Sequence, residues 1–136
     1  FPSNTHAFSD ANDLNRWMSA YYQDPAPQRL REAVEEFIAE PTRLAHPERL
    51  DAPAHFFAVV FQSNPEVRPE ITALLGELKN ATAERFVERI VMNSGKLEFT
   101  RAHDPNDLDI LWAHFAATGS TDAVRMVLEA LDFAQR

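Results

Sequence analysis

The chain reads as an all-α protein, and three observations carry that reading. Apolar residues recur at three- and four-residue spacing along most of the 136 residues, the period of a helix with one buried side. No stretch of strand length joins period-two alternation to flanking turn signals. Three glycines, Gly76, Gly95 and Gly119, are too few for a turn-rich β protein. Six or seven short amphipathic helices are expected, near residues 11–22, 27–39, 52–62, 66–77, 82–93, 107–117 and 121–134. Two arrangements fit: stacked antiparallel helical hairpins, a degenerate solenoid, or an irregular helical bundle. Residues 1–9 read as an N-terminal tail and 10–136 as a single helical domain, as the length prior suggests.

Each element has its own signal. Ser9 or Asp10 caps the first helix, whose apolar side is Leu14, Trp17, Met18 and Tyr21. Asp24-Pro25 stops it, because proline cannot continue the ladder. Pro27 suits a first turn, and Leu30, Ala33, Val34, Phe37 and Ile38 follow on one face until Pro41. Residues 42–50 read as a connector pinned by Leu44 and Leu50. Asp51 is placed to cap the third helix, which carries Phe56, Phe57, Val59, Val60 and Phe61, the most apolar run of the chain. Asn64-Pro65 ends it and opens the next, with Val67, Ile71, Leu74, Leu75 and Leu78. Asn80 or Thr82 begins a fifth helix with Ala83, Phe86, Val87, Ile90 and Val91 inward. Residues 96–106 are ambiguous between a short extended segment and a frayed turn. The last two helices meet at Gly119, which supplies a left-handed residue, with Ser120 or Thr121 as the next cap. Their expected inner faces are Leu108, Leu111, Trp112 and Phe115, and Val124, Val127, Leu128 and Leu131.

Aligning the turns at Asp24, Asn64, Ser94 and Gly119 places Trp17, Phe57, Val87 and Trp112 two turns upstream of each. Ala20, Val60, Ile90 and Phe115 stand one turn upstream. This resembles the helical-hairpin architecture of tetratricopeptide and HEAT-like arrays. The spacing of the turns is unequal, so the resemblance extends to architecture and implies no activity.

Composition excludes several function classes. The formal net charge is −8, from 13 Lys plus Arg against 21 Asp plus Glu. Nucleic acid and anionic membrane surfaces are poor partners for that balance, since both are bound by cations. A basic partner suits it better. No apolar run is long enough to span a bilayer. The absence of cysteine removes thiolate metal sites, iron–sulfur clusters, disulfides and thiol catalysis. The expected chain is soluble, and cytoplasm and periplasm remain equally open. It opens on Phe1 without a methionine, which leaves a processed mature protein and a fragment both open.

No catalytic constellation stands out. The histidines are His6, His46, His55, His103 and His114, and neither His-Glu-x-x-His nor Glu-x-x-His occurs. Asp51 and His55, four apart with His46 upstream, form the nearest approach to a metal or acid–base site. Glu84 and Glu88 interleave with Arg85 and Arg89 as on an ordinary solvated helix face. No serine-nucleophile motif or phosphate loop is present. The expectation is therefore a non-catalytic protein–protein interaction module with no metal, no cofactor, and a protein or peptide as partner. Its candidate partner-binding residues are Tyr21, Tyr22, Asp24, Asp104, Asp107 and Asp109, acidic and aromatic groups that gather where helices end. Adjacent tyrosines on a helix diverge by about 100°, so Tyr21 and Tyr22 cannot both face inward. Two alternatives stand beside it: a small acidic inhibitor of the immunity-protein type, and a small-ligand or enzymatic site between helices around Asp51 and His55.

Overall fold

Helices form where the apolar period places them. The computed structural model describes Phe8 and residues 10–134, and among these it contains eight α-helices and no strand. They are α1 (Ala11–Ser19), α2 (Leu30–Ala39), α3 (Pro41–Leu44), α4 (Asp51–Ser63), α5 (Arg68–Glu77), α6 (Ala81–Met92), α7 (Pro105–Thr118) and α8 (Thr121–Ala134). The expected tail, residues 1–9, lies outside the described residues apart from Phe8, which is buried against the core. Residues 93–104 form neither helix nor strand.

Local chemistry sets the helix ends. Asp10 caps α1 by accepting from the Asp13 amide at 2.8 Å. The Asn80 side chain takes the amides of Thr82 and Ala83 at 2.8 and 3.0 Å at the start of α6. Proline-led 3₁₀ turns, Pro27–Arg29 and Pro65–Val67, precede α2 and α5, because proline presets φ and has no amide hydrogen to leave unpaired. The connector after α2 coils into the four-residue α3, with Pro41 in its first turn and Glu40 accepting from the Thr42 amide at 3.2 Å. Asp51 is not the cap of α4. Leu50 holds that position without a capping side chain, and the Asp51 carboxylate turns to Arg89 and Asn106 instead. Gly119 ends α7 at φ 73°, the left-handed region. A Cβ there would lie 2.9 Å from Tyr22 Cδ2, so the packing of Tyr22 requires glycine a second time.

α4 is the centre. Every residue from Ala54 to Phe61 is buried, and a helix apolar on all sides is buried on all sides. Its most extensive interface is with α7, and it also packs on α6 and α2. Phe37, Phe57 and Phe86 meet across α2, α4 and α6, with Phe37 stacked on Phe86 at 5.0 Å between centroids. Trp17, Tyr21 and Phe56 meet edge to face, which ties α1 and the 3₁₀ turn Tyr21–Gln23 to α4. α7 packs on α1 and on that turn as well. Contacts between the first and seventh helices join elements far apart in sequence. In a linear stack each unit touches only its neighbours, so the arrangement is that of an irregular bundle.

The α7–α8 hairpin corrects one set of expected core residues. Leu111, Ala123, Met126 and Val127 form a second small core, supported by Leu97, Phe99, Ala102, Leu108 and Phe115. Trp112, Leu128 and Leu131 are exposed, at 50, 60 and 48%. Val124 is half-buried. α8 carries two apolar stripes roughly 100° apart at 3.6 residues per turn, one through Ala123, Met126 and Val127 and one through Val124, Leu128 and Leu131. The stripe containing the small Ala123 lies inward, where it leaves room for α7 to approach.

Phe57→Ala is expected to cost about 3–5 kcal/mol in urea denaturation, the range for truncating a buried aromatic. Leu128→Ala is expected to stay within about 0.5 kcal/mol of wild type, as exposed positions do. Equal losses at the two positions would contradict the assignment of the inner faces.

Candidate functional site

A half-open cleft of about 270 Å³ lies where four elements converge. α4 supplies Asp51 and His55 from its first turns, and α6 supplies Arg89 from its last turn. The segment after α6 supplies Lys96, Leu97, Glu98 and Phe99, and α7 supplies Asn106, Asp107 and Ile110. Asp51 and His55 share the cleft because they stand one helical turn apart. The Asp51 carboxylate is the hub: one oxygen pairs with Arg89, and the other accepts from Asn106 Nδ2 at 2.7 Å. Burial pushes the Asp51 carboxyl upward, but the hydrogen bonds from Arg89 and Asn106 and the Arg89 charge outweigh it, and the group titrates below the usual carboxylate range.

Behind the cleft, His55 Nε2 lies 2.8 Å from His114 Nδ1. One nitrogen donates and the other accepts, whichever ring carries the hydrogen. His55 is 5% exposed and is the one polar side chain classed as buried among the described residues. Burial, together with the His114 charge, pulls the His55 imidazole down to about 4, and burial lowers His114 too. Both rings are therefore neutral at pH 7. His46 does not join them; it rests against Glu48 at 3.6 Å. His6 lies outside the described residues. Among the described residues no group of three or more His, Asp or Glu is placed to hold a metal ion.

The six residues expected to bind a partner divide. Tyr21 is 5% exposed, packed on Trp17 and Phe56, and is not available to a partner; the helix-end position that suggests exposure is instead roofed by the aromatic core. Tyr22 is half-buried, with its ring 4.7 Å from that of Phe115. Asp24 is exposed. Asp104 caps α7 by accepting from the Asp107 amide at 2.8 Å, and Asp107 accepts from the His103 amide at 2.8 Å. Asp109 is exposed. Tyr22 lies at the C-terminal end of α7 and the capping aspartates at its N-terminal end, about 20 Å apart for a helix of this length. The two groups do not form one edge.

Arg89 and Asn106 in the cleft, and His114 behind it, are the residues that sequence spacing misses. Arg89 looks like a member of a solvated helix face, and its partner is 38 residues away. The His55–His114 contact spans 59 residues, and only the α4–α7 packing reveals it. Comparison of the chain with protein-family models, with curated proteins and with solved structures found no match.

The Asp51–Arg89 pair is screened, since both side chains are more than a third exposed, at 36 and 42%. Asp51→Asn is expected to cost at most about 1 kcal/mol at pH 7. The carboxyl is depressed in the folded state, so its contribution is present above the unfolded value of 3.8 and is lost as pH falls through the folded value. The variant should show a shallower loss of stability than wild type below about pH 4 in denaturant titrations. Parallel curves would show that the pairing does not couple to folding.

Proposed function

We propose that the chain is a non-catalytic protein–protein interaction module that seats a basic amphipathic helix of a partner protein on the outer face of the α7–α8 hairpin. The observation that carries this reading is the exposure of three large apolar side chains, Trp112, Leu128 and Leu131, on that hairpin. Val124, Leu128 and Leu131 stand at the i, i+4, i+7 spacing by which one helix offers a ridge to another. Partly exposed tryptophan is a favoured anchor at such contacts. The flank of α8 carries Asp122, Glu129 and Asp132 against Arg125, and Asp109 is exposed one turn before Trp112. Together with a net charge of −8, that surround favours a basic helix over an acidic one. Tyr22 stands against Phe115 near the C-terminal end of α7, and Asp24 is exposed two residues further on; Asp104 and Asp107 are committed to capping. A small acidic inhibitor acting on a basic target is one form of this reading and would use the same surface.

The cleft supports a second reading, a small-ligand or enzymatic site between helices. It gathers Asp51, His55, Arg89 and Asn106, but Asp51, Arg89 and Asn106 bond to one another rather than to an open position. The exposed apolar ridge has no such internal partner, which ranks the docking reading first.

The probe is a synthetic helical peptide with leucines at i, i+4 and i+7 flanked by lysine and arginine; its control keeps the leucines and replaces the cations with glutamate. Binding of the basic peptide is expected, weakened at least tenfold, about 1.4 kcal/mol, by Leu128→Ser with Leu131→Ser, at an unchanged melting midpoint. Equal binding by wild type and variant rejects the surface. A reversible dimer in sedimentation that the same double variant abolishes assigns the ridge to a second copy of the chain and rejects the hetero-partner.

A further inference from the structure

We propose that the His55–His114 pair is an acid-sensitive latch, which in its neutral form holds the α7–α8 hairpin against α4 and releases it when both rings carry protons. The contact sits in the largest interface of the fold and joins the central helix to the one helix that reaches both hydrophobic cores. With both imidazoles neutral, one N–H meets one lone pair at 2.8 Å and the pair is satisfied. A first proton can be shared as N–H⁺···N, although burial disfavours the charge. A second proton leaves two N–H donors facing each other with no acceptor between them, and two like charges on rings whose centroids are 5.1 Å apart. That arrangement opposes the packing of α7 on α4.

The surrounding charges do not rescue the protonated pair. On the cleft side of His55 stand Asp51, Glu98 and Asp107 against Arg89 and Lys96, and Asp51 is already held by Arg89 and Asn106. On the other elements packed against α7, Asp13 pairs with Arg16 on α1, and Asp122 and Glu129 pair with Arg125 on α8. The 3₁₀ turn Tyr21–Gln23 contributes the Tyr21 and Tyr22 phenols, which are neutral in the acid range. His114 is lowered by burial, and His55 by burial and by His114.

The sign follows from linkage. Both histidines are depressed in the closed state, so an opened chain takes up protons first. Closure is fully favoured above about pH 6.5, weakens as pH falls from there, and stops weakening near the folded value of about 4 for His55. Between pH 7.5 and pH 5, His55 alone shifts the equilibrium toward the open form about thirtyfold. The hairpin that would be released carries Trp112, Leu128 and Leu131, but the latch does not depend on what those residues bind.

The test is hydrogen exchange at pH 7.5 and pH 5, corrected for intrinsic amide chemistry, on wild type and on His55→Gln with His114→Gln. The two carboxamides keep a donor and an acceptor and do not titrate. In wild type, α7 and α8 amides are expected to lose about thirtyfold in protection at pH 5 while α2 and α5 amides change less than about threefold. The double variant should lose neither. A uniform loss across all helices, or the same α7–α8 loss in the double variant, overturns the latch. Should the variant not fold, imidazole titration of wild type by NMR decides: midpoints of both rings well below 6.5 support the latch, and midpoints at 6.5 overturn it.

Discussion

The packing of α7 on α4 is the constraint on which the rest of the structure depends. Every residue of α4 from Ala54 to Phe61 is buried, His55 among otherwise apolar side chains, so its neighbours must enclose it. α2 and α6 cover it through Phe37 and Phe86, and α1 covers it through Trp17 and Tyr21. α7 closes the remaining side with Ala113, Ala116 and Ala117, small residues that let the two backbones come near. Large residues on that face would hold the helices apart and open the core. The other face of α7, through Leu108, Leu111 and Phe115, is what α8 packs on. α7 is therefore a wall shared by two cores, and α8 depends on it for its place.

The same wall explains where polar chemistry gathers. The N-terminal turn of α7 meets the first turn of α4 through Asn106 and Asp51, and the segment 93–104 lies beside them without regular structure. Backbone amides and charged side chains collect there: Asn93 Oδ1 accepts from the Gly95 amide, Asp107 from the His103 amide, and Asp51 holds Arg89 and Asn106. One turn further along α4, His55 meets His114 at 2.8 Å, and the nearest cleft carboxylate, Asp51, is held by Arg89 and Asn106. An ion pair and a neutral imidazole thus lie within one turn of α4: hydrogen bonds and the Arg89 charge hold Asp51 ionised, while burial and His114 hold His55 neutral.

Helix positions were legible in the sequence because the apolar period and the proline and glycine stops are local signals. Asn80, Asp10 and Gly119 act where their chemistry says they should. What the sequence left hidden was every choice between equivalent local options. α8 has two apolar stripes, and the one through Ala123, Met126 and Val127 is the one buried against α7. Asp51 satisfies the rules for a cap, yet a cation 38 residues away outbids the helix end for its carboxylate. Tyr21 and Tyr22 were legible as a pair that must diverge, but not which one the core would take. The Asp51–His55 spacing pointed at the cleft, while Arg89 and Asn106 entered it, and His114 met His55 behind it, through packing that no spacing encodes.

The central claim is that α4, held by α7, is the last element to open. Native-state hydrogen exchange at neutral pH, read against global unfolding in urea, measures this directly. The slowest amides should lie in α4 between Ala54 and Phe61, with exchange free energies equal to the global value. Amides of α4 exchanging through smaller local openings, while α2 or α5 held the slowest, would contradict it.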